Sequence, residues 1–276
     1  SLKIGLTGTP GVGKSTFIET FGLQLINKRK KVAVLAIDPS SATTGGSILG
    51  DKTRMELLSK ESNAFIRATP NKGSLGGVAK RTREAITLCE AAGYEIILVE
   101  TVGVGQSETL VSEMTDIFCL LIAPAGGDEL QGVKRGIMEM SDIILVNKAD
   151  GELKIVAKQT STQYLNALNL FRHRKYDPPN FPKVMTISSL NADGLEQVWS
   201  TIQELVSWRK QKGYFNDIRK NQKIASFNRE LNNIFQERIV GSTKIMTEIN
   251  SLESKIKLGI ITPDAAAEII IKKMLR

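Results

Sequence analysis

Eight consecutive residues near the start of the chain have the types and spacing of a phosphate-binding loop. An apolar run precedes them and an amphipathic segment follows, so the order is strand, loop, helix. Glycines in this pattern let successive backbone N–H groups point at phosphate oxygens beside the N-terminus of a helix. We predict that Lys14 reaches the β- and γ-phosphates and that the Ser15 hydroxyl binds Mg²⁺. The candidate nucleotide-binding residues here are Gly8, Thr9, Pro10, Gly11, Val12, Gly13, Lys14, Ser15 and Thr16. The alternative is a glycine turn that only joins a strand to a helix.

A second motif, Asn147-Lys148-Ala149-Asp150, follows another apolar run and predicts recognition of guanine. A carboxylate at Asp150 can accept hydrogen bonds from both the ring N–H and the exocyclic amine of guanine, a pattern that adenine does not offer. We expect the amide of Asn147 to recognise the base edge and the stem of Lys148 to cover the ring face. Ser188, Ser189 and Leu190 follow the next apolar run and are placed to clamp the base from the other side.

Carboxylates at the ends of two more apolar runs suggest that one side of the site binds a metal ion. Glu100 is expected to hold Mg²⁺ through its water shell, and the N–H of Gly103 to contact a γ-phosphate. Asp38 and Asp51 are further candidates. Because Mg²⁺ takes only one or two carboxylates and keeps several waters, we expect Ser15 to bind directly and the acids mostly through water. A capping or turn role is the alternative for Asp38.

Strands and helices alternate along most of the chain, which predicts an α/β fold. Continuous apolar strands between helices imply a mostly parallel central sheet flanked by helices, the architecture of a P-loop NTPase. Ligands of such sheets bind at the carboxyl ends of the strands, where each of the motifs above falls. The predicted strands are 4–7, 32–38, 65–68, 96–101, 117–123, 143–147 and 184–187; the predicted helices are 15–28, 52–60, 76–92, 131–140, 152–170 and one beginning at 195.

The strands stop near residue 205, so we divide the chain into a nucleotide-binding domain, 1–205, and a C-terminal helical arm, 206–276. Apolar residues in the arm follow three- and four-residue spacing, which indicates helices. Thr262-Pro263-Asp264 is a favourable helix start. The apolar stripes of the arm must pack on the main domain or on another subunit.

The net charge of +8 is uneven: the arm has 14 Lys and Arg against 7 Asp and Glu, whereas residues 1–205 are nearly balanced. Solvated helix faces explain this excess better than an acidic protein partner, a phosphorylated ligand or nucleic acid, and the few aromatic residues of the arm give no stacking platform. One histidine and two separated cysteines argue against a Cys/His metal site. Without eighteen consecutive apolar residues or a visible signal peptide, we expect a soluble, cytoplasmic protein that binds neither membrane nor nucleic acid.

The residues between these motifs closely resemble the MeaB/MMAA/ArgK family. The similarity lies in DPSS at 38–41, TGGSILGD at 44–51, Arg54-Met55, ETVGVGQSE at 100–108 and GDELQG at 127–132. Gly259, Thr262-Pro263 and Ala266-Ala267 in the arm are similar as well. A helical extension normally precedes the first strand of the family; this sequence begins almost directly at that strand, so contacts of the extension are not carried over.

The resemblance implies a Mg²⁺-dependent GTPase that binds GTP and GDP and serves as chaperone of an adenosylcobalamin-dependent acyl-CoA mutase, methylmalonyl-CoA mutase. It implies a homodimer formed by the arm, loops at 40–51, 103–108 and 128–134 that GTP orders, and hydrolysis that the partner accelerates. Gln106 or Gln131 would orient the water, and Lys134 or Arg54 would supply charge in the transition state. The implied catalytic residues are Lys14, Asp38, Glu100, Gln131 and Lys134.

Three other functions compete with this hypothesis. Related GTPases deliver metal to nickel enzymes, but those normally have His-rich or Cys-containing metal sites. A phosphotransferase acting on a transport-binding protein would need an acceptor pocket, for which no motif is visible. A binding module without turnover is disfavoured by the combination of Lys14, Ser15 and Glu100.

Overall fold

Seven strands form one sheet in which every neighbouring pair is parallel. The computed structural model describes residues 1–38, 55–70, 75–101, 107–124 and 135–274. Within them the sheet has the order β3-β2-β4-β1-β5-β6-β7. Its strands are β1 (Leu2–Gly8), β2 (Val32–Asp38), β3 (Ala64–Pro70), β4 (Ile96–Thr101), β5 (Ile117–Ile122), β6 (Ile143–Val146) and β7 (Lys183–Thr186). The predicted α/β fold is confirmed, and the sheet is wholly rather than mostly parallel.

Helices cover both faces of this sheet, because its central strands are mostly apolar on both sides. All residues of β4, β5 and β6 in the described chain are buried. One core layer contains Phe17, Phe21 and Trp199, and the other contains Val111, Phe118 and Tyr164. The covering helices are α1 (Lys14–Asn27), α2 (Glu56–Ser59), α3 (Leu75–Ala91), α4 (Ser107–Ser112), α5 (Arg135–Met140), α6 (Lys154–Leu168) and α7 (Leu195–Gln211).

The register of the sheet brings the ends of the functional strands to one edge. Leu6 of β1 lies opposite Glu100 of β4 and Cys119 of β5. Val146 of β6 lies opposite Thr186 of β7. The ends of these strands, and the described residues that follow β1, β6 and β7, therefore meet at the carboxyl edge, as the alternation of strands and helices predicts.

The first compact unit ends at Gln222, further along the chain than the predicted domain boundary at residue 205. The reason is that α7 continues to Gln211 and buries Leu205, Val206 and Arg209. The next helix, α8 (Tyr214–Gly241), begins within this unit, where Arg219 pairs with Asp116 at 2.7 Å.

The second unit, Lys223–Arg276, contains the rest of α8 together with α9 (Thr243–Lys257) and α10 (Pro263–Met274). Ser242 caps α9 by accepting a hydrogen bond from the N–H of Ile245. Leu252, Ala266 and Ile270 form a small core between α9 and α10. Four large apolar side chains that follow helical spacing on α8 are between 41% and 65% exposed: Ile224, Phe227, Leu231 and Ile234.

Charged side chains fix the amino edge of the sheet. Arg209 is buried and donates hydrogen bonds to Asp142 at 2.6 Å, to Asp177 at 2.7 Å and to the carbonyl of Asp116 at 2.8 Å. Arg174 donates to Asp142 at 2.7 Å. Burial alone would raise the pKa of Asp142, but the positive charges of Arg209 and Arg174 hold that pKa below its ordinary value.

Candidate nucleotide-binding site

The loop between β1 and α1 adopts a backbone that only glycine accommodates easily. Gly11 and Gly13 have φ angles of 81° and 92°, in the left-handed region. A Cβ atom on Gly8 would lie 2.3 Å from the carbonyl oxygen of Leu121, and one on Gly13 would lie 2.7 Å from Nδ2 of Asn147. The glycines at these positions therefore let the loop approach both β5 and the guanine motif.

Lys14 begins α1 and is enclosed by this loop. Its side chain is buried, and Nζ donates to the carbonyl oxygens of Gly8 at 2.6 Å and Thr9 at 3.2 Å. Burial lowers the pKa of Lys14, and the negative charges of Glu100 and Glu108 act in the opposite direction. The cation is thus held inside the loop, near two carboxylates, and its contact with the β- and γ-phosphates stays a prediction.

Asn147 connects the phosphate-binding loop with the residues after β7. Its Nδ2 donates to the carbonyl of Val12 at 2.9 Å, and its Oδ1 accepts from the N–H of Ser189 at 3.0 Å and from the hydroxyl of Ser189 at 2.8 Å. The sequence suggested that this amide recognises the base. In the described residues its oxygen and one N–H bond the protein instead, so only its second N–H is left for a base.

Asp150 and Ser188 are in direct contact, which fixes the carboxylate. The Ser188 hydroxyl donates to Oδ2 of Asp150 and accepts from the N–H of Asn191 at 3.2 Å. The N–H of Ala149 donates to the carbonyl of Ile187 at 2.9 Å, so the two loops also share a backbone bond. Lys148 is exposed with a left-handed φ of 59°, and Leu190 is 78% exposed.

Hard oxygen atoms suited to Mg²⁺ lie on neighbouring elements of the same edge. Ser15 is half-buried in the first turn of α1, and Glu100 is buried near the end of β4. A hydroxyl and a carboxylate fit Mg²⁺, which needs few protein ligands. The described residues contain no group of three or more His, Cys, Asp or Glu side chains arranged for a metal.

Several predicted site residues lie outside the described part of the chain. Asp38 ends β2, but its side chain is not described. The remaining ones outside the described residues are Asp51, Arg54, Gly103, Gln106, Gln131 and Lys134. Their proximity to Lys14 stays a prediction.

The structure adds residues that the motifs did not single out for the site. Glu108, in α4, is buried and contributes to the electrostatic environment of Lys14. The hydroxyl of Thr20 lies 2.9 Å from the carbonyl oxygens of both Thr16 and Ser189, which joins α1 to the base-side loop. The hydroxyls of Thr7 and Thr101 are 2.8 Å apart. In the sequence Thr7, Thr20 and Thr101 are marked only as polar residues near a strand end or in the helix after the phosphate-binding loop, whereas Glu108 belongs to the run 100–108 that resembles the family.

Comparison with known proteins identifies the family. The family model described as "Methylmalonyl Co-A mutase-associated GTPase MeaB" matches residues 1–244. The chain belongs to the MeaB family. Its members share the P-loop GTPase fold, and membership implies a bound guanine nucleotide.

Named relatives support the MeaB assignment over almost the whole chain. The mouse protein "Methylmalonic aciduria type A homolog, mitochondrial" is 45% identical over 273 residues, which are 99% of this chain and 65% of that protein. The GTPase ArgK of Escherichia coli (strain K12) is 44% identical over 267 residues, 94% of this chain and 80% of that protein. The chain thus spans slightly less than two thirds of the mouse relative.

A solved structure has the same fold as this chain. The crystal structure titled "LAO/AO transport system kinase" superimposes with a TM-score of 0.80 and 32% sequence identity, over 100% of this chain and 82% of the other. No helix among the described residues of this MeaB-family chain has the length and apolar character needed to cross a membrane.

Proposed function

We propose that this protein is a GTP-hydrolysing molecular switch that assists an adenosylcobalamin-dependent acyl-CoA mutase, methylmalonyl-CoA mutase. In this role it gates loading of the cobalamin cofactor and protects the mutase. The observation that carries the proposal is the hydrogen-bonded connection from Val12 through Asn147 to Ser189, which joins a phosphate-binding loop to a guanine motif. The family description, which names a mutase-associated GTPase, supports the choice of client.

The nucleotide lies along the carboxyl edge of the sheet in this proposal. The backbone of residues 8–16 and the ammonium of Lys14 hold the phosphates, and Gly103 senses the γ-phosphate. Asp150 accepts hydrogen bonds from guanine, with Lys148 and Leu190 beside the ring. Ser188 orients the carboxylate of Asp150, since their side chains are already in contact.

Hydrolysis requires attack of water on the γ-phosphoryl group, and Lys14 is the described cation placed to stabilise the charge that develops. Mg²⁺, held by Ser15 directly and by Asp38, Asp51 and Glu100 mostly through water, would neutralise charge on the phosphate oxygens. Gln131 or Gln106 orients the water, and Lys134 or Arg54 adds positive charge when the partner docks.

The helical arm forms a homodimer in this proposal. The exposed apolar stripe of α8 supports it, because a soluble helix rarely leaves four large apolar side chains along one face without a partner. The cytoplasm is the proposed compartment, and the two buried, free thiols of Cys89 and Cys119 are consistent with reducing conditions.

Turnover of GTP with and without the client tests the proposal. The protein alone should release phosphate slowly, and addition of adenosylcobalamin-dependent methylmalonyl-CoA mutase should raise the rate at least about ten-fold. Lys14→Ala should abolish the stimulated rate, whereas Lys28→Ala, a change at an exposed lysine of the same region, should leave it intact. An unchanged rate in the presence of the mutase would refute the partner assignment.

A phosphotransferase is the second candidate, because a structure with a TM-score of 0.80 is titled a transport system kinase. GTP labelled at the γ-phosphate distinguishes the two. Label recovered only as inorganic phosphate supports the hydrolase, whereas label on a transport-binding protein supports the kinase. A metal-delivery role has no corresponding support among the described residues, which contain no Cys/His metal group.

A further inference from the structure

The outer edge of β7 borders a cavity of about 700 Å³. The carboxyl end of this edge is covered, because Asp193 pairs with Ser188 and Gly194 lies against the carbonyl of Thr186, but the N–H groups of Val184 and Thr186 face the cavity side. In the described sheet β7 pairs only with β6. The N–H groups of Lys183 and Ile187 donate to Asp142 and Val146 on the β6 side, at 3.2 and 2.8 Å. Since backbone polar groups alternate in direction along a strand, those of Val184 and Thr186 point the opposite way. Neither N–H has a hydrogen-bond partner among the described residues.

Two helices form the walls of this cavity and give it a positive character. Lys154, Lys158 and Ser161 of α6 line one side, and Gln197 of α7 lines the other. Both lysines are exposed, and no ion pair involving either is found in the part of the chain that the structure describes. Asp193, which pairs with Ser188 at the carboxyl (upper) end of β7, is the single acidic residue among the described residues of the lining.

We propose that this cavity, the β7 groove, binds an extended acidic segment of a partner protein, which adds to the sheet as an eighth strand. Main-chain hydrogen bonds to Val184 and Thr186 would supply the pairing, and acidic side chains at alternate positions would face Lys154 and Lys158. The lysines of α6 beside this edge disfavour pairing with a second, equally basic copy, so the charge selects an acidic partner instead.

The β7 groove is distinct from the nucleotide loop but reaches the guanine side of the site. Ala149 and Ser188, which line its upper end, belong to the two loops that hold Asp150. Because the groove lies outside the nucleotide loop, the proposed binding of a partner segment requires neither a particular client protein nor GTP hydrolysis.

Amide hydrogen exchange measured by NMR on the full chain tests this proposal with two peptide probes. A hexapeptide of alternating glutamate and valine, at about 1 mM, should slow exchange at Val184 and Thr186 at least about ten-fold. The N–H of Met185 faces β6 and should change little. A hexapeptide of alternating lysine and valine is the control and should protect neither amide.

Charge reversal provides the matched variants. Lys154→Glu combined with Lys158→Glu should weaken binding of the acidic peptide about ten-fold, because repulsion replaces attraction. Arg81→Glu, at an exposed cation of α3, should leave binding unchanged. Absent protection, equal protection by the basic peptide, or an unchanged affinity in the double variant would each overturn the proposal. Concentration-dependent protection of both amides without peptide would indicate a second copy as occupant and would overturn it too.

Discussion

In the proposed site, Asp150 is the side chain that we expect to determine the choice of base. Replacing it with Asn removes one acceptor and the negative charge, so guanine loses two charge-assisted hydrogen bonds. Because such bonds contribute about 1.5–3 kcal/mol each, Asp150→Asn should weaken GTP binding about 100-fold or more. Xanthosine triphosphate, whose base has a carbonyl in place of the exocyclic amine, should then bind better than GTP. Fluorescence titration with both nucleotides measures the change.

Asp193→Asn is the matched control for that substitution. Asp193 is exposed, and its backbone pairs with that of Ser188, so it has the same charge and a similar position without a proposed contact to the base. An equal loss of GTP affinity in both variants would contradict the assignment of Asp150.

Gly13 and Gly11 separate two reasons for a glycine in the phosphate-binding loop. Both have left-handed φ angles, which cost a residue with a Cβ about 1–2 kcal/mol. A Cβ atom on Gly13 would also lie 2.7 Å from Nδ2 of Asn147, whereas a Cβ atom on Gly11 would lie within 4 Å of no described atom. Gly13→Ala should therefore reduce the free energy of unfolding by more than Gly11→Ala and, by displacing Asn147, should weaken GDP binding at least about ten-fold.

Denaturant unfolding and nucleotide titration of both alanine variants check this difference. Equal destabilisation by the two substitutions would show that the clash with Asn147 adds nothing to the loss of unfolding free energy caused by the left-handed backbone angle.

At the scale of elements, the central strands could be predicted because each is a continuous apolar run between helices. The predicted bounds of β2 and β4 agree with the structure, and β3 is longer by one residue before and two after. The positions of the phosphate and guanine motifs followed from the same reasoning, since both must follow strands of a parallel sheet.

The contacts within the site could not be predicted in the same way. Asn147 bonds the chain 135 residues earlier, and Thr20 bonds a carbonyl 169 residues later. Such pairs depend on three-dimensional register, which periodicity within one segment does not encode. The same is true of the extent of the first unit, because the contacts of Arg209 with Asp142 and Asp177 are not visible as a pattern.

Arg209 should contribute strongly to the stability of the helices and strands that pack at the amino edge of the sheet. Arg209→Met leaves Asp142 and Asp177 buried with less compensation, so it should lower the free energy of unfolding at pH 7 by about 3–5 kcal/mol. Lys210→Met, at the exposed neighbouring position, should have little effect. Urea denaturation of both variants gives the comparison.

The same ion pairs predict a dependence on acid. The pKa of Asp142 is lower in the folded protein than its ordinary value of 3.8. Its stabilising contribution is therefore complete above about pH 4 and is lost as the pH falls through the folded pKa. The stability difference between the wild type and Arg209→Met should narrow below about pH 4; a constant difference down to pH 2 would argue against the charge pairing.

At the scale of the whole molecule, the exposed stripe of α8 should control the oligomeric state. Phe227→Asp combined with Leu231→Asp places charge in an interface that we propose to be apolar, so the dimer should dissociate in light-scattering measurements. Asn228→Asp adds charge to the same helix at an exposed polar position and should leave the dimer intact. Dimers that persist in the double variant would place the interface elsewhere.

The side-chain amide of Asn147 connects the loop on the base side of the proposed site to the phosphate-binding loop. Because this side chain holds both loops, movement of one loop removes hydrogen bonds that position the other. The protein therefore cannot release the base while it still binds the phosphates. We therefore expect the base and the phosphates of a guanine nucleotide to dissociate in one step. A factor that opens either loop should release the whole nucleotide.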